Sequence, residues 1–411
     1  MTVFILGGAQ TDFAVHHSRA GRGLYDLMAE AVRGALADAG VEPGEIEAGH
    51  VGNFTGELFA GQGHLGGMFA AIDPAFAGRP ASRHEAACAS GSMAVMAAIA
   101  DLVAGHYGCV CVVGVEQMRN VPGQTAADHL GAAAWRGREA AEARYVWPHL
   151  FDRITLAYDR RYGLRHEHLA RIAAINFGNA RTNPNAQTRN WSFPDGCFSE
   201  DDALNPPVEG RVRRHDCAQI TDGAAALVLA GPRFAAEVAQ RRGLGAGDLP
   251  TIAGWGHRTA PLALADKLEA APPGGLLFPH VREAIRDAQR RARLPGSAAL
   301  DAIELHDCFT ITEYLLIDHF ELTAPGEAWR AIEEGVIARD GRLPINPSGG
   351  LIGGGHPVGA SGVRMVLDGA RQVTGRAAGY QVPGARAVQT LNIGGSATTV
   401  ASFVVRAGHA G

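Results

Sequence analysis

Lysine is almost missing from this chain. Lys267 is the only one among 37 Lys and Arg residues, so a pyridoxal Schiff base or other lysine chemistry would have to fall on it. It lies in LALADKLEA (262–270), a helical stretch in which a solvated surface lysine is expected. Cysteine is sparse as well. Six cysteines in 411 residues, with no CxxC pair, exclude a disulfide scaffold and a structural zinc site, so reduced thiols and no bound metal are expected. The glycine-rich segment SGGLIGGGHPVGASG (348–362) spaces Gly354 and Gly359 like a phosphate loop but has Ala360 where the lysine must stand, and it does not match GxGxxG. No bound cofactor is expected. With a net charge of −5, no basic block and no RNP-type aromatic motif, nucleic acid is not an expected partner. The opening MTVFILGGAQTDF carries no basic leader, and its apolar run is strand-sized and too short to span a bilayer, so a cytoplasmic chain without a membrane partner is expected.

Hydrophobic residues make up 46% of the chain and charged ones 19%, enough to build a large core in two or three domains. In EAACASGSM (85–93) a single cysteine, Cys88, precedes MAVMAAIADLVA (93–104), which is apolar on nearly every face and reads as a buried helix closed by Gly105. CVCVVGVEQM (109–118) then reads as a strand covered on both sides. Cys88 thus sits on a turn at a helix N-terminus, where the helix dipole can lower a thiol pKa. A buried filler is the alternative, and Cys109, Cys111, Cys197 and Cys217 are expected to be packing.

The chain also repeats itself. EAVRGALADAG (30–40) and EAIRDAQRRAR (283–293) are matching amphipathic helices that lead toward HVGNF (50–54) and IELHDCF (303–309). Ala89-Ser90-Gly91 and Ala360-Ser361-Gly362 open matching helices, and DGAAALVLAG (222–231) and GGSATTVASFVV (394–405) close the two halves. Conserved order argues for duplication, with each half a mixed sheet between helices. The Arg-, His-, Asn- and Pro-rich residues between them, including RTNPNAQTRNWSFPDG (181–196), are too long for a connection and read as an inserted loop domain over the active face. The expected division is 1–118 with 214–248, an insertion at 119–213, and a second half at 249–411.

Three constellations carry chemistry. Cys88 is one. Gly353-Gly354-Gly355-His356-Pro357 is another, with a histidine three residues before the counterpart of Cys88; if the halves pack about a pseudo-two-fold axis, Cys88 and His356 form a nucleophile and its base. The third is His306-Asp307-Cys308-Phe309 at a strand end. Its tripeptide recurs as His215-Asp216-Cys217, but no ligand spacing supports a metal site shared between them.

EAACASGSM, LHDCFTITE, NPSGGLIGGGHPVGASG and LNIGGSA together resemble the thiolase family, in its sterol-carrier-protein-type branch, over essentially the whole chain. The resemblance implies a five-layered αβαβα fold from two duplicated halves plus the inserted loop domain, and a homodimer. It implies an acyltransferase that cleaves a 3-ketoacyl-CoA, or runs the reverse Claisen condensation, through an acyl-Cys88 intermediate with coenzyme A as substrate. His356 would be the base. Oxyanion holes would come from His306 with His356 and from the Cys88 and Gly394 amides. The family's second cysteine, in a Cys-x-Gly motif, is replaced here by Asn392-Ile393-Gly394, which moves proton transfer to Cys308. With the chain ending at Gly411, no fused lipid-transfer domain is expected. A C-acyltransferase or retro-aldolase working with a small OB-fold partner, and a non-catalytic acyl-CoA-binding scaffold, are the alternatives.

Overall fold

The computed structural model describes residues 2–408. Its strands are β1 (Val3–Gln10), β2 (Ala48–Gly52), β3 (Ala81–His84), β4 (Cys109–Glu116), β5 (Pro207–Glu209), β6 (Val212–Arg213), β7 (Gly223–Ala230), β8 (Thr251–Thr259), β9 (Ala302–Leu305), β10 (Ala387–Gly394) and β11 (Thr399–Arg406). β5 and β6 form a small hairpin, and the other nine strands follow the order β3-β2-β4-β7-β1-β8-β11-β10-β9.

The duplication is written into this order. β2 runs parallel to β4, which is antiparallel to β7, which is antiparallel to β1. β9, β10, β11 and β8 repeat the same relations. Two separate mixed sheets were the expectation; instead β1 and β8 meet edge to edge at Val3↔Ile252 and Phe4↔Thr251. Each would otherwise be an open edge, and pairing satisfies backbone groups that an exposed edge leaves free.

Three apolar layers fill the spaces around the strands. Helix Leu24–Ala39 covers Cys111, Val113 and Val228 on one outer face. On the other, helices Pro279–Arg291 and Thr310–His319 cover Ile303, Leu391 and Val400. Between the halves lie helices Ser90–Ala104 and Val358–Val373, packed among Val112, Leu227, Ala401 and Phe403. The result is an αβαβα stack. Its centre is tight: a Cβ on Gly91 would stand 2.5 Å from the Gly359 carbonyl oxygen, so only glycine lets the two helices cross here.

Between β4 and β7 the chain builds helices Gly123–Leu130, Val146–Tyr162 and His166–Ala180 before the β5–β6 hairpin. Leu150, Phe151, Ile154 and Ile172 from this segment join the core of the second half. Lys267, expected at the surface, is buried at 4% exposure in helix Leu264–Glu269. Its Nζ donates to the Pro261 and Leu262 carbonyls and to Thr398 Oγ1, each at 2.9 Å. Three oxygens for three N–H donors leave the ammonium nothing to seek from water.

Candidate active site

Cys88 sits on the 3₁₀ turn Ala87–Ala89 that joins β3 to the central helix Ser90–Ala104. Ala87, just before it, takes a positive φ of 50°, a strained conformation for a residue with a side chain and one that clusters at functional sites. His306 follows β9 directly, and His356 lies between the glycine loop and the second central helix. The Cys88, His306 and His356 ligand atoms all lie within 4.8 Å of one another. The two rings meet edge to face, with centroids 5.2 Å apart.

Each imidazole is oriented through Nδ1. Ser361 Oγ donates to the Pro357 carbonyl at 2.9 Å, so the 2.7 Å contact between His356 Nδ1 and Ser361 Oγ assigns the ring proton to Nδ1. His356 Nε2 is then a bare acceptor. Asn392 accepts from Ser92 Oγ at 2.8 Å and turns its Nδ2 toward His306 Nδ1 at 3.0 Å, which assigns the His306 proton to Nε2. Both Nε2 atoms are buried without a partner. One is a base and the other a donor, on two rings that stand beside the Cys88 sulfur.

Burial keeps these groups neutral. His356 is pushed down to about 3 by burial and the nearby Arg364 guanidinium, and His306 falls well below its ordinary value for the same reason, with His356 adding to it. The Cys88 thiol is pushed up to about 12, burial outweighing the Gly395 backbone group that faces it. The lowering expected from the helix N-terminus is therefore overridden by desolvation.

Cys308, Cys88 and His356 line one cavity of about 310 Å³, walled by Phe54, Met118, Leu130, Trp147, Phe151 and Phe309. Burial and the proximity of Cys88 raise the Cys308 pKa. Cys217, expected to be packing, opens on the same cavity, while Cys109, Cys111 and Cys197 are buried. His215 turns away, its Nδ1 2.7 Å from the Cys197 carbonyl, so the two His-Asp-Cys tripeptides do not gather into one metal site. Cys88, His306 and His356 are close enough to consider as ligands, but a metal on His306 Nε2 needs a proton on Nδ1 and an acceptor beside it. Asn392 presents a donor there.

Gly394 packs on Ala86, whose carbonyl oxygen would stand 2.2 Å from an added Cβ. Gly395, one residue on, lines the same cavity as Cys88, and its backbone acts to lower the Cys88 thiol pKa. Asp307 is a clamp hidden in the HDCF motif: its carboxylate accepts from Leu351 N, Ile352 N and Asn176 Nδ2 at 2.6, 3.2 and 2.9 Å, fixing the loop that carries His356. Glu116 does the same for the second central helix, accepting from Gly359 N at 3.0 Å and from Phe54 N at 2.9 Å. Neither was legible as a partner, because nothing local to either residue names the loop it holds.

A thiol, a base, a proton donor and an apolar cavity define an acyl-transfer site of the cysteine type. The family "Thiolase, N-terminal domain" matches residues 3–190 and "Thiolase C-terminal domain-like" matches residues 271–407. Acetyl-CoA acetyltransferase of Methanothermobacter thermautotrophicus is 33% identical over 407 residues, covering 98% of both chains. Human sterol carrier protein 2 is 29% identical over 98% of this chain and 71% of its own length. A solved Ltp2-ChsH2(DUF35) aldolase superposes at a TM-score of 0.77 with 22% identity, covering 99% of this chain and 98% of that one. The chain belongs to the thiolase family and is a thiolase-type acyltransferase.

Proposed function

We propose that Cys88 is the residue acylated. The observation that carries this is the pair of imidazoles beside its sulfur, each with an unpartnered buried Nε2. In the thiolytic direction the Cys88 sulfur attacks C3 of a 3-ketoacyl-CoA while His356 Nε2 takes the thiol proton, which removes the need for a preformed thiolate. Once protonated, His356 Nε2 joins His306 Nε2 as an oxyanion donor. The C2–C3 bond breaks, Cys308 delivers its proton to C2 of the acetyl-CoA enolate and takes back the one His356 holds, and acyl-Cys88 remains beside a neutral imidazole. Free CoA, deprotonated at His356, attacks that thioester, with the Cys88 and Gly394 amides receiving the second oxyanion. The same steps reversed perform a Claisen condensation.

The cavity has more room than an acetyl group needs, which favours larger apolar acyl groups. Intact mass after incubation with acetyl-, octanoyl- and dodecanoyl-CoA tests both points. We expect one acyl adduct on Cys88, retained with the longer chains and at least ~10²-fold slower to form in His356→Ala. Adducts mapping chiefly to Cys197 or Cys217 would sink the assignment. Carbon–carbon cleavage with a small partner protein is the second reading, favoured by the fold shared with the Ltp2-ChsH2(DUF35) aldolase; activity without CoA that appears only when a partner is added would support it.

A homodimer completes the proposal. β3 is an edge strand, and the helix beside it leaves Met93, Met96, Ala100 and Val103 incompletely covered, so a second copy fits this face. Sedimentation at twice the 43.0 kDa chain mass checks it; a monomer at micromolar concentration argues against it.

A further inference from the structure

The single lysine is buried where surface chemistry would place none, and it is attached to the active site from behind. β10 and β11 are joined by a short turn at 395–398. At its start Gly395 lines the active-site cavity together with Cys88, and its backbone acts on the Cys88 thiol. At its end the Thr398 amide bonds the Gly394 carbonyl at 3.0 Å, and Thr398 Oγ1 accepts from Lys267 Nζ at 2.9 Å. The other two Lys267 protons go to the Pro261 and Leu262 carbonyls, and the Thr398 carbonyl accepts from Ala260 N at 2.8 Å. From the next helix, His280 Nε2 lies 2.8 Å from the Ala397 carbonyl, at a residue with a positive φ of 61°. A turn holding a strained alanine keeps its shape only if its surroundings fix it.

We propose that Lys267 is a positioning residue for acyl transfer: by tying Thr398 to the 261–262 carbonyls it fixes the turn that presents its backbone amides to the Cys88 sulfur. This rests on the reading of Cys88 as the acylated thiol. No carboxylate is bonded to the ammonium, which makes it dependent on neutral oxygens alone; Asp266 on its own helix and Glu139 from the inserted segment act only through space. Burial pushes the Lys267 pKa down to about 8. Above that pH the amine keeps two N–H donors for three oxygens, and the tie slackens. His280, which holds the same turn, is itself kept neutral by burial and by Lys267, so it does not titrate in this range.

The test uses the full chain with acetyl-CoA as the acyl donor, reading Cys88 acylation by intact mass and CoA affinity by calorimetry. Lys267→Met removes the ammonium, and Thr398→Val removes its acceptor on the turn. We expect each to slow acylation by about 10²-fold, the cost of a small misplacement, with CoA affinity within twofold of wild type. The double variant should be no slower than the slower single one, because both cut one tie. Wild-type acylation should fall above pH 8, and Lys267→Met should lose that limb. If Lys267→Met does not fold, Thr398→Val carries the same expectation. A wild-type rate in Thr398→Val, or a limb unchanged in Lys267→Met, overturns the tie while leaving Cys88 intact. No acylation of Cys88 in the wild type overturns the Cys88 reading and the tie with it.

Discussion

Cys308 stands at 9% exposure beside a cavity it shares with Cys88, and its role separates from that of its neighbour by the kind of bond each makes. Thioester exchange on Cys88 moves no proton at carbon, whereas the Claisen step must place one on C2 of acetyl-CoA. Asn392 stands where the family's second cysteine would be, and its amide, bonded to Ser92 and His306, is neither acid nor base near neutral pH, so it has no proton to offer. Cys308→Ala should therefore abolish deuterium wash-in at the acetyl-CoA methyl while acylation of Cys88 continues. Wash-in at the wild-type rate would show that another group handles that proton. The Cys88, His306, Cys308 and His356 quartet was legible in the chain because each sits in a short, distinctive motif. Ser361 and Asn392, which decide the protonation of the two rings, were not legible as partners, since a serine in a helix and an asparagine in a strand look ordinary until the rings beside them are seen.

At the scale of elements, the crossing of the two central helices sets where His356 lies relative to Cys88. An added Cβ on Gly359 would stand 2.5 Å from the Val115 carbonyl oxygen and 2.7 Å from that of Gly52. Those are backbone atoms in strands or at their ends, so relief has to come from shifting a helix. Gly359→Ala should cost about 1–3 kcal/mol, seen as a lower urea midpoint at unchanged slope, and should slow Cys88 acylation. Gly178→Ala is the matched control: it lies in helix His166–Ala180 with open space around the added methyl, and should be neutral or stabilising by up to about 1 kcal/mol. Equal midpoints for both variants would contradict the close-crossing argument. The helices were predictable from periodicity and end signals, Gly105 closing the first with a φ of 74°, but their distance of approach was not.

For the whole molecule, the acids buried around the site link stability to pH. Glu313 Oε2 accepts from Asn176 and Asn346 at 2.7 and 2.9 Å, while Oε1 has no partner. Burial, with Asp307 nearby, pushes Glu313 up to about 8. A carboxyl whose pKa is higher folded than unfolded favours the folded state at low pH, and that contribution disappears as pH rises through the folded value. The histidines buried neutral, such as His319 at about 4, oppose this only below about pH 6.5. Stability should thus fall between pH 6.5 and 8, by up to about 1.4 kcal/mol per pH unit from this group, and Glu313→Gln should flatten the slope in urea titrations. A midpoint that rises over this range would overturn the assignment.

Periodicity, repeat order and motif chemistry are local properties of the chain, and from them followed the duplicated halves, the apolar central helix, the inserted segment and the candidate quartet. Three things required the folded molecule. The joining of β1 to β8 depends on two edges finding each other across roughly 250 residues, which no local pattern encodes. The neutral Cys88 thiol depends on desolvation, which is set by everything packed around it, and here that outweighs the helix end that the sequence displays. Lys267 reads as a surface residue because lysine is rarely buried; only the fold brings two carbonyls and Thr398, 131 residues away, to the three protons of its ammonium.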